Sequence, residues 1–364
     1  MDKMQTNITT LENETLPQNF TNIPQFDETL ARVELFSVPV IAVFGIIGNA
    51  FSCAIFSTKP LNKYSSSFLL LCRSLSDIGF LTVLLIHWAS SVFDFHLNEM
   101  YRACQIFVSL TYVFACLSVW LVTLFASENC LRLYTTFYTK KICKRRNAKV
   151  ITACMTIAIG CFYSYPFWTV GKDCIPMENY HGLIKAMAHV DSALTMFVPS
   201  TIMILTLIAS ALISFSKSRE RRRKRSASST TSKDLLRQAT LMVFVVTLTF
   251  ILLNLPAHAS RIRLIHMHAM VGTQLSKTKS VFQAIAQLIF YLSPAINFVI
   301  YYAFGRKFRV SFNETVLRKR TRRHDNTALN ANCKPPGQLL IKQMKFIACN
   351  GNNVTVMYYP VKDV

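Results

Sequence analysis

At 364 residues, with 52% hydrophobic and only 16% charged residues and a positive mean hydropathy of +0.32, the chain fits neither one large soluble domain nor two smaller ones. Its formal charge of +22 does not argue for nucleic acid, because the basic residues stand in blocks between long apolar stretches rather than along one amphipathic face. The eleven cysteines are too few and too scattered for a disulfide scaffold, and no CxxC or Cys/His pair has metal-ligand spacing.

The first 34 residues carry six acids (Asp2, Glu12, Glu14, Asp27, Glu28, Glu34) against Lys3 and Arg32, and glycosylation sequons at Asn7, Asn13 and Asn19. No basic segment leads into an apolar run, so no cleaved signal peptide is expected and the first hydrophobic helix has to direct insertion. Residues 1–34 are expected to be extracellular, glycosylated and unstructured.

Apolar runs of about 20 residues, enough to cross a hydrocarbon core of roughly 30 Å as helix, lie near 36–56, 66–88, 104–134, 148–168, 187–215, 238–264 and 280–303. Prolines inside them (Pro166, Pro199, Pro256) are tolerated where neighbouring helices re-satisfy the backbone. Seven spans over 35–304 define an all-α membrane bundle. Basic blocks at Lys140, Lys141, Lys144, Arg145 and Arg146, at Arg219 to Arg225, and at Arg306, Lys307 and Arg309 fall in alternate connections, which sets those on the cytoplasmic side. The sequons at Asn313 and Asn353 then lie inside and are expected to go unused.

Ser214–Lys233 is basic and rich in hydroxyls with nothing to bury, so a mobile loop is expected. It suits anchorage to anionic lipid, and phosphate on Ser226, Ser228 or Ser229 would cancel nearby charge. Phe304, Phe308 and Phe312 recur at helical spacing beside Arg306, Lys307 and Arg309, which predicts a short interfacial helix over 305–317. The remaining 318–364 are basic, then polar without periodicity, and are expected to be a disordered cytoplasmic tail.

Short motifs inside the spans recur in a fixed order. Gly48-Asn49 stands in the first, Leu75-Ser76-Asp77 in the second, Cys104 opens the third and Glu128 lies near its end. Pro199 is in the fifth, Asn254-Leu255-Pro256 in the sixth, and Asn297-Phe298-Val299-Ile300-Tyr301 in the seventh, followed by Gly305-x-x-Phe308-Arg309. From about 35 to 315 the chain resembles rhodopsin-like (class A) G-protein-coupled receptors. Asn-Leu-Pro in the sixth span with Asn-Phe-x-x-Tyr in the seventh is most similar to invertebrate neuropeptide receptors of the FMRFamide kind.

That resemblance implies a disulfide between Cys104 and Cys174, a heterotrimeric G protein as partner, and kinases and arrestin acting on the third cytoplasmic loop and tail. No covalently reacting group or cofactor is expected. Asn49, Asp77, Ser118, Asn254, Ser293 and Asn297 are polar groups in apolar spans, where such groups usually face the interior. In the family the cluster of Asn49, Asp77, Ser118, Ser293 and Asn297 holds a sodium ion, although a hydrogen-bonded network with water is the simpler reading.

Several positions depart from the family. Arg73 stands one turn from Asp77, where leucine is usual, and is expected to reach Asp77, Tyr301 or the third helix and to compete with sodium. The Asp/Glu-Arg-Tyr motif is Glu128-Asn129-Cys130, so the switch arginine is Asn129, and Arg132 is expected to pair with Glu128 instead. Leu207 replaces a fifth-span tyrosine, Thr156 and Ile157 lie where a fourth-span tryptophan is usual, and Asn254 precedes Pro256 in place of the sixth-span tryptophan.

Phe250, Asn254, His258 and Arg261 form one face of the sixth helix and are expected to line a ligand pocket with His87, Trp88, Thr111, Gln283 and Gln287. Arg261 suits an anionic or amidated ligand end, although it and Arg263 can also snorkel to the interface. Thr111 and Tyr291, at the family's amine-pairing and retinal-binding positions, argue against amine and retinal ligands. A neuropeptide receptor of the plasma membrane is the expected function. A ligand-binding decoy is the alternative raised by Asn129, and a transporter or channel the distant one, disfavoured because the halves show no inverted repeat.

Overall fold

A computed structural model describes residues 23–59, 61–93, 101–134, 142–171, 177–223, 230–270, 277–317, 347–350 and 353–356. The helices in order are α1 (Ile23–Ser57), α2 (Ser65–Val92), α3 (Tyr101–Tyr134), α4 (Arg145–Phe162), the short α5 (Pro166–Thr169), α6 (His181–Ser192), α7 (Val198–Arg223), α8 (Thr230–Met270), α9 (Lys277–Ala295), α10 (Asn297–Phe304) and α11 (Arg306–Phe312). Six stretches are long and apolar enough to span a membrane alone. A seventh forms from α9 and α10, which meet at a 50° bend next to Pro294. A proline there removes one backbone donor and crowds the preceding turn.

The helices run past the apolar limits expected from sequence. α1 starts at Ile23, so the expectation of an unstructured segment to residue 34 is corrected over 23–34: IPQFDETLARVE places Pro24 in the first turn and good helix formers behind it. Likewise α7 continues to Arg223 and α8 begins at Thr230, shortening the expected mobile loop 214–233 from both ends. Ser226, Ser228, Ser229, Asn7, Asn13 and Asn19 lie outside the described residues.

The fourth span breaks between α4 and α5, where Pro166 restarts the chain as the first residue of a new turn. The fifth is joined from α6 and α7 by a π-helical turn at Ala193–Phe197, which rotates the side chains before it relative to those after it. α11 follows α10 at Gly305 and continues as a π-helical turn over Asn313–Leu317. Its Phe308 is buried among Phe56, Phe298 and Tyr301, and Phe312 rests on Phe51, Phe298 and Tyr302.

α3 runs through the middle, against α2, α4, α5, α7 and α8, while α1 packs on α2, α9 and α10. The buried centre joins Leu69 and Leu70 of α2, Leu121, Val122 and Phe125 of α3, Met203 of α7, Val243, Val246 and Phe250 of α8, and Ile300 and Tyr301 of α10. In a separate unit, residues Val316–Val364, Ile347–Asn350 and Asn353–Val356 pair as antiparallel strands, with Ile347 opposite Val356. This corrects the expected disorder of 318–364 over those eight residues, where β-branched Val354, Thr355 and Val356 favour strand.

Gly45 shows how closely α1 approaches its neighbours. A Cβ there would stand 2.5 Å from Leu81 Cδ1 and 2.9 Å from the Ala295 Cα, whereas one on Gly160 of α4 would meet nothing within 4 Å. Gly45→Ala is therefore expected to destabilise the purified protein by about 1–3 kcal/mol through overpacking. Gly160→Ala should leave thermal stability unchanged or raise it by up to about 1 kcal/mol from helix propensity. Thermal unfolding in detergent reads both.

Candidate functional site

A cavity of about 480 Å³ runs inside the bundle between α2, α3, α6, α8 and α9. Its wall takes in His87 and Cys104 at one end and descends past Thr111, His258 and Gln287 to Ser118, Asn254, Asp77 and Arg73. All four residues of the expected sixth-span face, Phe250, Asn254, His258 and Arg261, border it. Trp88 and Gln283 do not. The Trp88 indole instead donates to the Leu35 carbonyl at 2.8 Å, tying α2 to α1, and Gln283 lies one turn beyond Gln287. Cys104 is in a disulfide, and Cys174 lies outside the described residues.

Arg261 has a partner that the sequence reading did not name. Its guanidinium forms an ion pair with Asp191 of α6, donates to the Tyr112 hydroxyl at 3.2 Å, and has its Cζ 5.5 Å from the Tyr112 ring centre. Tyr163 donates to the other Asp191 oxygen at 2.5 Å and stacks on Tyr112 with ring centres 5.4 Å apart and planes within 4°. The carboxylate is thus held by a cation and a phenol on a side chain only 4% exposed, while the Arg261 side chain keeps 31% exposure. A buried charge in an apolar span needs such a partner. The sequence signal was available, since Asp191 is the sole acid in the run 187–215.

His258 lies between this pair and the cavity floor. It packs edge-on against Phe290, is 7% exposed, and its Nδ1 has no hydrogen-bond partner among the described residues. Thr111 spends its hydroxyl on the Phe107 carbonyl of its own helix at 2.8 Å, leaving the adjacent wall largely apolar.

At the floor the expected polar cluster converges around Asp77. Ser118 donates to Asp77 Oδ1 at 2.6 Å and Asn297 to Oδ2 at 2.7 Å. Arg73 places Nε 3.9 Å from Oδ2 and Nη1 3.4 Å from the Tyr301 hydroxyl. Asn254 donates to Ser293 at 3.0 Å and to the Phe250 carbonyl at 2.7 Å, so its amide links α8 to α9 one layer above Asp77. Asn49 bridges the Gly45 and Pro294 carbonyls, both at 2.9 Å.

The opposite end of α3 shows what stands where the family's switch would be. Arg132 Nε donates to Glu128 Oε1 at 3.0 Å and Nη2 to the Ser65 hydroxyl at 3.0 Å, while the single Ser65 proton has Glu128 and the Cys143 carbonyl within reach as acceptors. Asn129 turns its amide back to the Phe125 carbonyl at 2.7 Å and makes no ion pair. Lys217 of α7 donates to the Leu133 carbonyl in the last turn of α3. Leu207 packs on the core as an apolar residue. Pro256 sits inside α8, two residues beyond Asn254.

A bundle of seven apolar spans enclosing a polar-floored cavity, with a charged cluster at one end of its central helix, is the architecture of a membrane receptor. The family model of the 7 transmembrane receptor (rhodopsin family) matches residues 48–301, and the chain belongs to that family. It is a multi-pass membrane G-protein-coupled receptor with a ligand and a heterotrimeric G protein as partners, and it is not an enzyme. Comparison with curated proteins returned no match.

Removing only one member of the Asp191–Arg261 pair strands a charge. Arg261→Leu is expected to destabilise the receptor by about 3 kcal/mol or more, and adding Asp191→Asn should recover most of that loss. Unfolding midpoints of the two single variants and the double variant measure the coupling.

Proposed function

We propose that the chain is a plasma-membrane receptor, with its N-terminus outside the cell, for a peptide whose C-terminal end is amidated. The observation that carries this reading is the Asp191–Arg261 pair on the cavity wall. A primary amide offers a carbonyl oxygen to the guanidinium and N–H donors to the carboxylate. A free carboxylate would meet the negative Asp191, and an ammonium would meet the positive Arg261. Neither charged end matches a site whose charges already cancel.

The volume suits entry of one peptide end rather than a whole ligand, with the apolar wall from Phe107, Phe290 and Tyr291 taking a side chain. Gln287 and His258 add polar groups beside the pair. Orientation is supported by the basic blocks at 140–146, 219–225 and 306–309, which fall in alternate connections of the sequence. On this reading the basic loop and tail face the cytosol, available to anionic lipid, kinases and arrestin.

A second reading, an atypical receptor or decoy with weak coupling, is favoured by one observation: Asn129 is satisfied on its own helix by Phe125 and offers no charge to a cytoplasmic partner. The two separate experimentally. Amidated peptides and their free acids are screened in cells with calcium, cyclic-nucleotide and arrestin readouts. An amidated peptide should activate at least about tenfold more potently than its acid, the equivalent of about 1.4 kcal/mol. Asp191→Asn should shrink that preference by removing the repulsion of the acid. Silence of the wild type towards a bound amidated peptide, with signalling restored by Asn129→Arg, identifies the decoy. Binding of a lipid or small metabolite by purified receptor, with no peptide binding, contradicts the ligand assignment.

A further inference from the structure

The sodium ion that the family places beside the second-span aspartate requires a carboxylate with free oxygen lone pairs and no competing cation. Around Asp77 the first condition is met only in part and the second not at all. Its two oxygens accept from Ser118 at 2.6 Å and from Asn297 at 2.7 Å. Its charge faces Arg73, 3% exposed itself, whose Nε is 3.9 Å away, a distance of charge pairing rather than of a hydrogen bond. Asn297 is further directed to the Pro294 carbonyl, and the Ser293 hydroxyl accepts from Asn254.

Among the described residues, Asn49 Oδ1 is buried with no hydrogen-bond donor. A lone amide oxygen does not make a site for a hard cation that prefers about six oxygen ligands. A second cation here would also stand close to the guanidinium with little water to screen the repulsion.

We infer that Arg73 is the resident cation of Asp77, and that this receptor takes no sodium in its core. The guanidinium is tethered to α2 and reaches the Tyr301 hydroxyl of α10 at 3.4 Å, so the same side chain that neutralises Asp77 also joins the second span to the seventh. A diffusible ion depends on the salt outside the cell and can leave. A covalently attached one does neither, and the Asp77 layer is held at constant occupancy whatever the ionic composition. Arg73 Nε makes no hydrogen bond among the described residues, so its tie to Asp77 is one of charge, while Nη1 makes the contact to Tyr301.

The test uses purified full-length receptor unfolded thermally in sodium chloride and in N-methyl-D-glucamine chloride of equal ionic strength. The wild type is expected to unfold at the same temperature in both salts. Arg73→Leu should acquire a stabilisation that rises saturably with sodium and vanishes when Asp77→Asn is added, while Arg73→Lys, which keeps the charge, should stay indifferent. A saturable sodium stabilisation of the wild type that Asp77→Asn removes would overturn the inference, as would a folded Arg73→Leu receptor indifferent to sodium. If Arg73→Leu yields no folded protein, the wild type decides alone: indifference supports the assignment and a saturable sodium response refutes it.

Discussion

Hydrocarbon offers a buried charge no water, and the arrangement of this receptor follows from that constraint. The two acids buried in its core are each met by side chains of other helices. Asp77 is held from α2 by Arg73, from α3 by Ser118 and from α10 by Asn297. Asp191 is held from α8 by Arg261 and from the segment after α4 by Tyr163. Each carboxylate is therefore a joint among three elements, and the cavity is the space left between the two joints. A ligand entering it meets cancelled charges and the dipoles around them, which favours groups that both donate and accept.

The coupling end follows the same rule with different residues. Where the family sets an arginine next to the acid that ends the third helix, this chain has an asparagine satisfied by its own helix, and moves the cation one turn on to Arg132. Arg132, Ser65 and Glu128 then fasten α3 to the start of α2, and the Cys143 carbonyl brings in the segment before α4. Arg132 keeps about a third of its side-chain surface exposed, as Arg261 does, so solvent weakens both pairs relative to Arg73 and Asp77. The receptor thus combines a fully buried charge pair at Arg73 and Asp77 with more solvated pairs at Arg261 and Arg132.

Much of this was legible in the sequence, because an uncharged run of twenty residues has few alternatives to a membrane helix. A lone polar residue within such a run also declares itself. Asn49, Asp77, Ser118, Asn254, Ser293 and Asn297 stood out for that reason, and Arg73 and Arg132 fell at four-residue spacings from acids on the same helix. Contacts between distant segments were harder. Asp191 and Arg261 are 70 residues apart, and their pairing depends on how the π-helical turn at Ala193–Phe197 orients α6, which local pattern does not encode. Trp88 shows the converse: an amphipathic aromatic near a pocket by sequence is used instead to tie two helices together. Helix ends were also underestimated, since hydropathy marks where lipid stops and not where hydrogen bonding stops.

The central claim is that the core charges of this receptor neutralise one another. A side-chain-resolving density map of the full-length, ligand-free receptor prepared in a sodium buffer tests it most directly. The account predicts the Arg73 guanidinium against Asp77 and Tyr301, the Arg261 guanidinium against Asp191 and Tyr112, and no spherical density between Asp77 and Ser118. Arg73 extended away from Asp77 with an ion coordinated in its place, or Asp191 and Arg261 facing apart across the cavity, would contradict it.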